Sequence, residues 1–567
     1  MYAIDLFCGA GGFSEGILQA GFHIVFSSDR SPYVQQTYEA RHKQLGLIQG
    51  ENTFFRLSDI RELQCDTILK DINSLSFFKS QNKIFQSGDI DAIFGGPPCQ
   101  GFSIAGKRDK SDPRNMLFRE YLRVIKDMMP KYIVMENVTG FMSMEVNPDF
   151  ESFSHISYKD DELVRTVVTK ELEAFGYKVL PPRILDASDY GVPQRRQRAI
   201  FLAYRNDVVP LDYPKTTTPL PEQKQTVLDA LKGITVKGKS DFSTQSQLGR
   251  TRHILTGEPI AHLTKPLNTD ESKHSSVIVE RFSLFKQGES VSQLKSRLLT
   301  NKLHGDRVID FKALPNLLLE TTFNLNKTFN KQQLKTILNE NNIELETDAN
   351  GKSALLESFY KRIIKLWNLK INSQVFTDEC KKNIGNKKFS GELITKIFST
   401  AKLQLNNFIT TQDVISWFNN ENFTPQYMTY TNDEGETISE VSYTQIPLFF
   451  DIGKAQLSWD DIINAVLTNK NTRTRLDGSQ PGPTMVTLPD DFIHPLKNKI
   501  LNVREMARIQ SFDDSFEFLG KRTTGGEKRS QEVPQFTQVG NAVPPLLAYA
   551  IADIVKESLI LTIKTSN

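Results

Sequence analysis

Over roughly the first 205 residues, short apolar runs alternate with longer amphipathic stretches. Tyr2–Phe7, His23–Ser27, Ile90–Phe94, Tyr132–Met135 and Ala199–Ala203 have the length and continuity of buried strands. Between them, apolar residues recur at helical spacing over Ser14–Ala20, Met116–Met129 and Asp161–Phe175. Strands alternating with helices predict an α/β domain, its mostly parallel sheet covered on both faces. From about 206 to 500 the texture fades. Pro and Thr cluster over Pro210–Pro221 in the manner of a linker, and Asn326–Leu403 is polar and Lys-rich. After about 500 the α/β texture returns and ends in a helix predicted over Pro545–Glu557. No internal repeat is visible.

Composition narrows this picture only a little. At 567 residues the chain has room for two or three cores. A net charge of +2 does not by itself announce a nucleic-acid binder. Yet Asn326–Leu403 carries 14 Lys or Arg against 8 Asp or Glu, an excess of six, so the remainder is net acidic. A solvated helical insert explains that run as well as a binding surface does. The four cysteines (Cys8, Cys65, Cys99, Cys380) are far apart and include no Cys-x-x-Cys pair. That pattern argues against a disulfide framework and a structural metal, and fits a reducing cytoplasm. No apolar run has membrane-spanning length, and with a strand starting at Tyr2 no targeting peptide is expected.

Three places carry candidate chemistry. The first is Asp5-Leu-Phe-Cys-Gly-Ala-Gly-Gly-Phe-Ser14, a glycine-rich turn between strand and helix. Such a turn, at the carboxyl end of a first strand, lets backbone approach a cofactor closely. It lacks the Gly-x-Gly-x-x-Gly and Gly-Lys-Ser/Thr patterns that hold pyrophosphate. Asp29 ends the next strand, where a carboxylate can take both ribose hydroxyls. A nucleoside cofactor without pyrophosphate is therefore expected, which suggests S-adenosylmethionine.

The second is Gly95-Gly-Pro-Pro-Cys-Gln-Gly-Phe-Ser103, a stiff polar turn that presents Cys99 at the same sheet edge as a nucleophile. Thirty-seven residues on, a strand ends in Glu136-Asn-Val138. Attack at carbon 6 of a cytosine is eased when a held carboxylic acid protonates ring nitrogen N3. The third is Pro193-Gln-Arg-Arg-Gln-Arg198. Arg196 and Arg198, two apart on extended backbone, point the same way. The segment fits both a bland basic cluster and a pair that reaches the site to lower a thiolate pKa and bind a base carbonyl.

In this order, these segments resemble the C5-cytosine DNA methyltransferases. Two further motifs continue the resemblance, Arg504-Glu-Met-Ala-Arg-Ile-Gln-Ser-Phe512 and Gln538-Val-Gly-Asn-Ala-Val-Pro-Pro545. The resemblance covers roughly 1–205 and 500–567. It implies a Rossmann-like S-adenosylmethionine-dependent catalytic domain over 1–205, completed by 538–567. It also implies a smaller target-recognition domain of mixed α+β character over 206–537, with a helical insert at about 300–470. By motif, Phe7, Gly9 and Gly11 line the cofactor, Asp29 holds its ribose, and Asn541 with Val543 closes the methionine end. The acid that reads the adenine is Asp59 or Asp89. Asp59 fits better, because Asp89 sits too close to the Cys99 strand to end another.

The implied reaction adds Cys99 to a flipped-out cytosine of duplex DNA. Glu136 acts on N3, Arg198 on O2, and Arg196 supports Cys99, with Gln100 and Ser103 near the flipped nucleotide and its phosphate. No metal is implied. A monomeric bacterial cytoplasmic enzyme is expected, in a restriction-modification or phage-defence setting with a cognate restriction endonuclease as a candidate partner. Within the insert, Leu334 to Leu356 loosely matches the spacing of a SAP DNA-binding module, though generic amphipathic helices explain it better. Asp433-Glu-Gly-Glu436 has the look of a hairpin turn.

Overall fold

The computed structural model of the chain describes residues 1–98, 116–146, 150–159, 161–303, 308–322, 324–325, 409, 411–419, 427–431, 437–441, 449–452, 455–467, 472–524 and 532–566. They form two compact units: Met1–Ser272 together with Leu476–Asn567, and Lys273–Arg475.

The first unit is built on an eight-stranded sheet. Its strands are β1 (Tyr2–Leu6), β2 (His23–Asp29), β3 (Phe54–Leu57), β4 (Ala92–Gly95), β5 (Tyr132–Val138), β6 (Tyr177–Val179), β7 (Arg183–Asp186) and β8 (Gln197–Arg205). The order is β3-β2-β1-β4-β5-β8-β6, with β7 also pairing β8. β1 to β5 run parallel, while β8 is antiparallel to β5, β6 and β7. The sheet is therefore mixed rather than simply parallel. β6 and β7 lie end to end along one edge of β8, separated by Leu180-Pro181-Pro182, where two prolines cannot donate to a ladder.

The continuous apolar runs arise because both faces are covered. In β5, Ile133 and Met135 enter one core with Ile4, Leu6, Phe118 and Tyr121, whereas Tyr132 and Val134 enter the other with Phe13, Ile17, Leu547 and Ile551. The second core depends on close contact between two helices, Gly12–Gln19 and Pro545–Ser566. A side chain started on Gly16 would stand 2.3 Å from the amide nitrogen of Tyr549 and 2.4 Å from Ala548 Cβ; one on Gly12 would stand 2.5 Å from the Val543 carbonyl. Backbone cannot give way as a flexible side chain can. Gly16→Ala is accordingly expected to destabilise the protein by about 1–3 kcal/mol through overpacking. That outweighs the roughly 1 kcal/mol of helix propensity alanine brings. Thermal melting checks this, and an unchanged or raised midpoint would refute it.

The stretch Pro210–Pro221 is strapped to the sheet edge rather than free. Tyr213 donates to the carbonyl of Ile200 at 2.8 Å, and the Thr217 and Thr218 amides donate to Asp189 O at 2.9 Å. Residues 206–272 and 476–537, expected within the recognition segment, pack in this first unit. Val227, Ala230, Leu231 and Phe242 share a core with Leu476, Met485, Ala507, Ile509 and Phe512.

The second unit contains helices Ser276–Ser283, Val291–Leu303, Thr411–Asn419 and Trp459–Leu467, and two antiparallel hairpins. The first hairpin pairs Tyr427–Thr431 with Thr437–Val441, and the second pairs Phe449–Ile452 with Ala455–Ser458. The 433–436 turn and the 334–356 segment lie outside the described residues. No described helix is long and apolar enough to cross a membrane.

Candidate active site

The chain steps from β1 to β2 and β3 on one side, then returns to place β4 on the other side of β1. Ligands bind open α/β sheets at this kind of reversal, beyond the carboxyl ends of the strands. The register is direct: Leu6 pairs with Gly95, and Gly95 with Met135. The glycine turn after β1, the Gly95–Pro98 turn after β4 and the Glu136–Val138 end of β5 therefore share one edge.

The glycine turn is built from left-handed backbone, with φ of +58° at Phe7, +54° at Gly9 and +99° at Gly11. Such angles suit glycine and mark Phe7, a non-glycine residue, as held by its surroundings. Asp29 helps hold the turn. Its Oδ2 accepts from Gly9 N at 3.1 Å and its Oδ1 from Ser31 N at 2.8 Å. Burial raises the Asp29 pKa above the usual carboxylate range. Nothing lies within 4 Å of where a Gly9 side chain would begin, so space stands open beside the turn.

Beneath the turn, Ser14 Oγ donates to Asp5 Oδ2 at 2.5 Å, and the Tyr38 hydroxyl lies 3.1 Å from Ser14 Oγ and 2.5 Å from Ser27 Oγ. Burial pushes the Asp5 carboxyl up to about 7.

Asp59 stands two residues past β3, next to the end of β2, where Asp29 pairs with Leu57. Its carboxylate accepts from Arg61 Nε and Nη2 at 2.9 and 2.7 Å. That pairing lowers its pKa to about 2. Asp89 precedes β4 at the opposite edge and accepts from Gln86 N at 2.8 Å. Asn541 is exposed at the end of helix Gln535–Asn541, and Val543 is buried against the helix that begins at Gly12.

Across the edge, Glu136 pairs with Ile200 and Val138 with Arg198, so Glu136 and Arg198 are diagonal neighbours on one sheet face. Their side chains meet at 2.6 Å, Glu136 Oε1 to Arg198 Nε, each about one-tenth exposed. A methyl on Gly96 would stand 3.0 Å from Glu136 Oε2. Asn137 Nδ2 donates to Pro97 O at 3.0 Å, tying the Glu-Asn-Val strand end to the proline turn. Tyr121 supports the same turn: its ring lies under Gly95, and its hydroxyl donates to Ile93 O and Val134 O. Asn137 and Tyr121 were not anticipated as supports, although Asn137 sits inside the motif.

Arg196 is 2% exposed, and its guanidinium donates to Met485 O and Gly540 O, each at 3.0 Å. Burial and the like charge of Arg198 push its pKa down. Cys99, Gln100 and Ser103 lie outside the described residues. Among the described residues no group of His, Cys, Asp and Glu could hold a metal ion.

The model of the family "C-5 cytosine-specific DNA methylase" matches residues 1–308 and 291–557. Type II methyltransferase M.DdeI of Desulfomicrobium norvegicum is 26% identical over 554 residues, covering 98% of this chain and 88% of that protein. Type II methyltransferase M.AgeI of Thalassovita gelatinovora is 24% identical over 569 residues, covering 99% and 100%. Type II methyltransferase M1.HphI of Haemophilus parahaemolyticus is 34% identical over 288 residues, covering 50% and 61%.

Proposed function

Because this chain belongs to the C-5 cytosine-specific DNA methylase family, we propose that it methylates carbon 5 of a cytosine flipped out of duplex DNA. The observation that carries the reading is the meeting of three strand ends at the sheet's reversal. The open glycine turn of β1 stands beside the Gly95–Pro98 turn of β4, which leads to Cys99 and has the Glu136–Arg198 pair of β5 and β8 on its other side.

S-adenosylmethionine, when bound, supplies an electrophilic methyl group on a sulfonium. The space beside Gly9 and the bordering Asp29 carboxylate fit such a ligand. Phe7, Gly9, Gly11, Asp29 and Asp59 would hold its nucleoside, and Asn541 and Val543 its methionine end. Asp59 is assigned over Asp89 because only Asp59 stands at the carboxyl edge.

For the base, Cys99 adds to carbon 6, which makes carbon 5 nucleophilic. Glu136 holds or protonates N3 during the addition, and Arg198 orients Glu136 and binds O2. Once carbon 5 carries the methyl group, it loses its proton and the Cys99 thiolate is expelled. Gln100 and Ser103 are assigned to the flipped nucleotide. Arg196, its guanidinium given to two backbone carbonyls, is assigned to holding the site.

Sequence recognition is assigned to the 206–537 span, centred on the second unit. A monomer in the bacterial cytoplasm, serving restriction-modification or phage defence alongside a cognate endonuclease, completes the reading. Purified protein with methyl-labelled S-adenosylmethionine should label duplex DNA at cytosine carbon 5 and leave transfer RNA unlabelled. Label confined to RNA, or absent from both with folded protein, would overturn the reading.

A further inference from the structure

Two amides and one guanidinium, all buried, join four separate segments of the first unit. Gln194 and Gln510 are fully buried. Met485 N donates to Gln194 Oε1 at 2.6 Å, Gln194 Nε2 donates to Gln510 Oε1 at 2.8 Å, and Gln510 Nε2 donates to Val539 O at 2.9 Å. Each side chain accepts at one end and donates at the other, which an amide can do and an ionised carboxylate cannot. Arg196 runs alongside, holding Met485 O and the next carbonyl in line, Gly540 O.

Val539 and Gly540 belong to the last turn of helix Gln535–Asn541, whose carbonyls the helix ladder leaves over; Val539 O accepts from the Ala542 amide at 3.2 Å. From outside the helix, Gln510 adds a second donor to Val539 O, and Arg196 supplies one to Gly540 O. Independently, the backbone itself is pressed together here: a side chain on Gly540 would stand 2.7–2.9 Å from the Val486 carbonyl group and Thr487 N. The held segment is the one by which the chain re-enters the first unit after Arg475. Its course is fixed further by Arg195 N to Gly482 O at 2.8 Å and Gly482 N to Pro193 O at 3.0 Å.

We propose that Gln194, Gln510 and Arg196 are positioning residues that clamp the re-entry segment 482–487 to the end of helix Gln535–Asn541 and so set the Asn541–Val543 turn for the methyl donor. This rests on the reading of that turn as the donor's methionine end. The relay does not touch the donor; it fixes the direction in which the helix terminates. Breaking it leaves Gln194 Nε2 buried without a partner and takes from Val539 O one of its two donors, and the turn loses its registration.

The test measures binding of S-adenosylhomocysteine by titration calorimetry, with thermal melting of the free protein alongside. Gln510→Met, of similar size but without donor or acceptor, should weaken binding about tenfold at every pH. Gln510→Glu should match wild type when its buried carboxyl is protonated and weaken progressively, relative to wild type, as pH rises from about 6 to about 9. Asn73→Ala removes bonds to Phe85 N and O on a different part of the unit. It should lower the melting temperature yet leave binding unchanged.

Wild-type binding by Gln510→Met would overturn the proposal. So would equal weakening by Asn73→Ala, since the loss would then follow global stability. If wild-type protein itself binds no S-adenosylhomocysteine, it is the donor reading that fails rather than the clamp.

Discussion

Cys99→Ser is expected to remove methyl transfer by roughly four orders of magnitude or more, the scale seen when an enzyme loses its nucleophile. Binding of duplex DNA and of the donor should stay within about threefold, since a hydroxyl replaces a thiol with little change in size. The asymmetry follows from acidity. A thiol reaches its anion near neutral pH, whereas an alcohol needs an adjacent strong base to do so. A second measurement makes the result specific to covalent catalysis. Expulsion of the thiolate requires loss of a proton from carbon 5, so a duplex with 5-fluorocytosine at the target should trap wild-type protein as a stable adduct. Cys99→Ser should form none. Residual turnover within tenfold of wild type, or an adduct formed by the serine variant, would remove Cys99 from the reaction.

The second large effect concerns the Glu136–Arg198 pair, joined at 2.6 Å with both side chains about one-tenth exposed. Arg198→Met keeps the length of the side chain but leaves a mostly buried carboxylate without its cation. Removing one partner of such a pair is costly, about 3 kcal/mol where burial is complete and less here. Turnover should fall by roughly 10²–10³-fold, because Glu136 loses its orientation and the base its O2 partner. Glu136→Gln should lose a comparable factor while remaining more stable than Arg198→Met, since the new amide oxygen can still accept from the Arg198 guanidinium, whereas methionine offers the carboxylate no donor. The double variant should be less destabilised than the two single costs added together, and melting of all four proteins measures that coupling. Strict additivity in both stability and turnover would show that the two side chains act independently.

The parts of the fold legible in the sequence were those where one residue pattern forces one structure. β1, β4, β5 and β8 announced themselves because sheet coverage on both faces demands unbroken apolar runs. Glu136 was legible as a strand-end carboxylate; the two-residue spacing of Arg196 and Arg198 suggested a shared direction, whereas Arg198 meets Glu136 and Arg196 is given to the carbonyls of Met485 and Gly540.

Elements whose stability is tertiary stayed hidden. β6 has three residues and β7 four, on either side of a proline pair. Helix Pro32–Gln44 buries polar Thr37, Arg41 and His42, so no apolar stripe marks it; Arg41 is there to pair with Glu15 at 2.7 Å. The Gln194–Gln510 contact joins positions 316 residues apart and leaves no local trace. The same holds for Val227, Ala230 and Leu231, whose five-residue helix gives no hint that it packs with the 503–518 segment.

The contact of Gly12 and Gly16 with the helix Pro545–Ser566 also has a consequence in time. The ribosome makes the two sides of that contact more than 500 residues apart. At about 5–20 residues per second, the interval is on the order of half a minute or longer. Throughout it, the core that holds Phe13, Ile17, Phe22 and Phe94 lacks Leu547, Ile551 and Val555. Apolar surface exposed in this way is what makes nascent chains prone to aggregate, and the Asn541–Val543 turn has not yet been made. Synthesis order thus keeps the second core incomplete until helix Pro545–Ser566 docks.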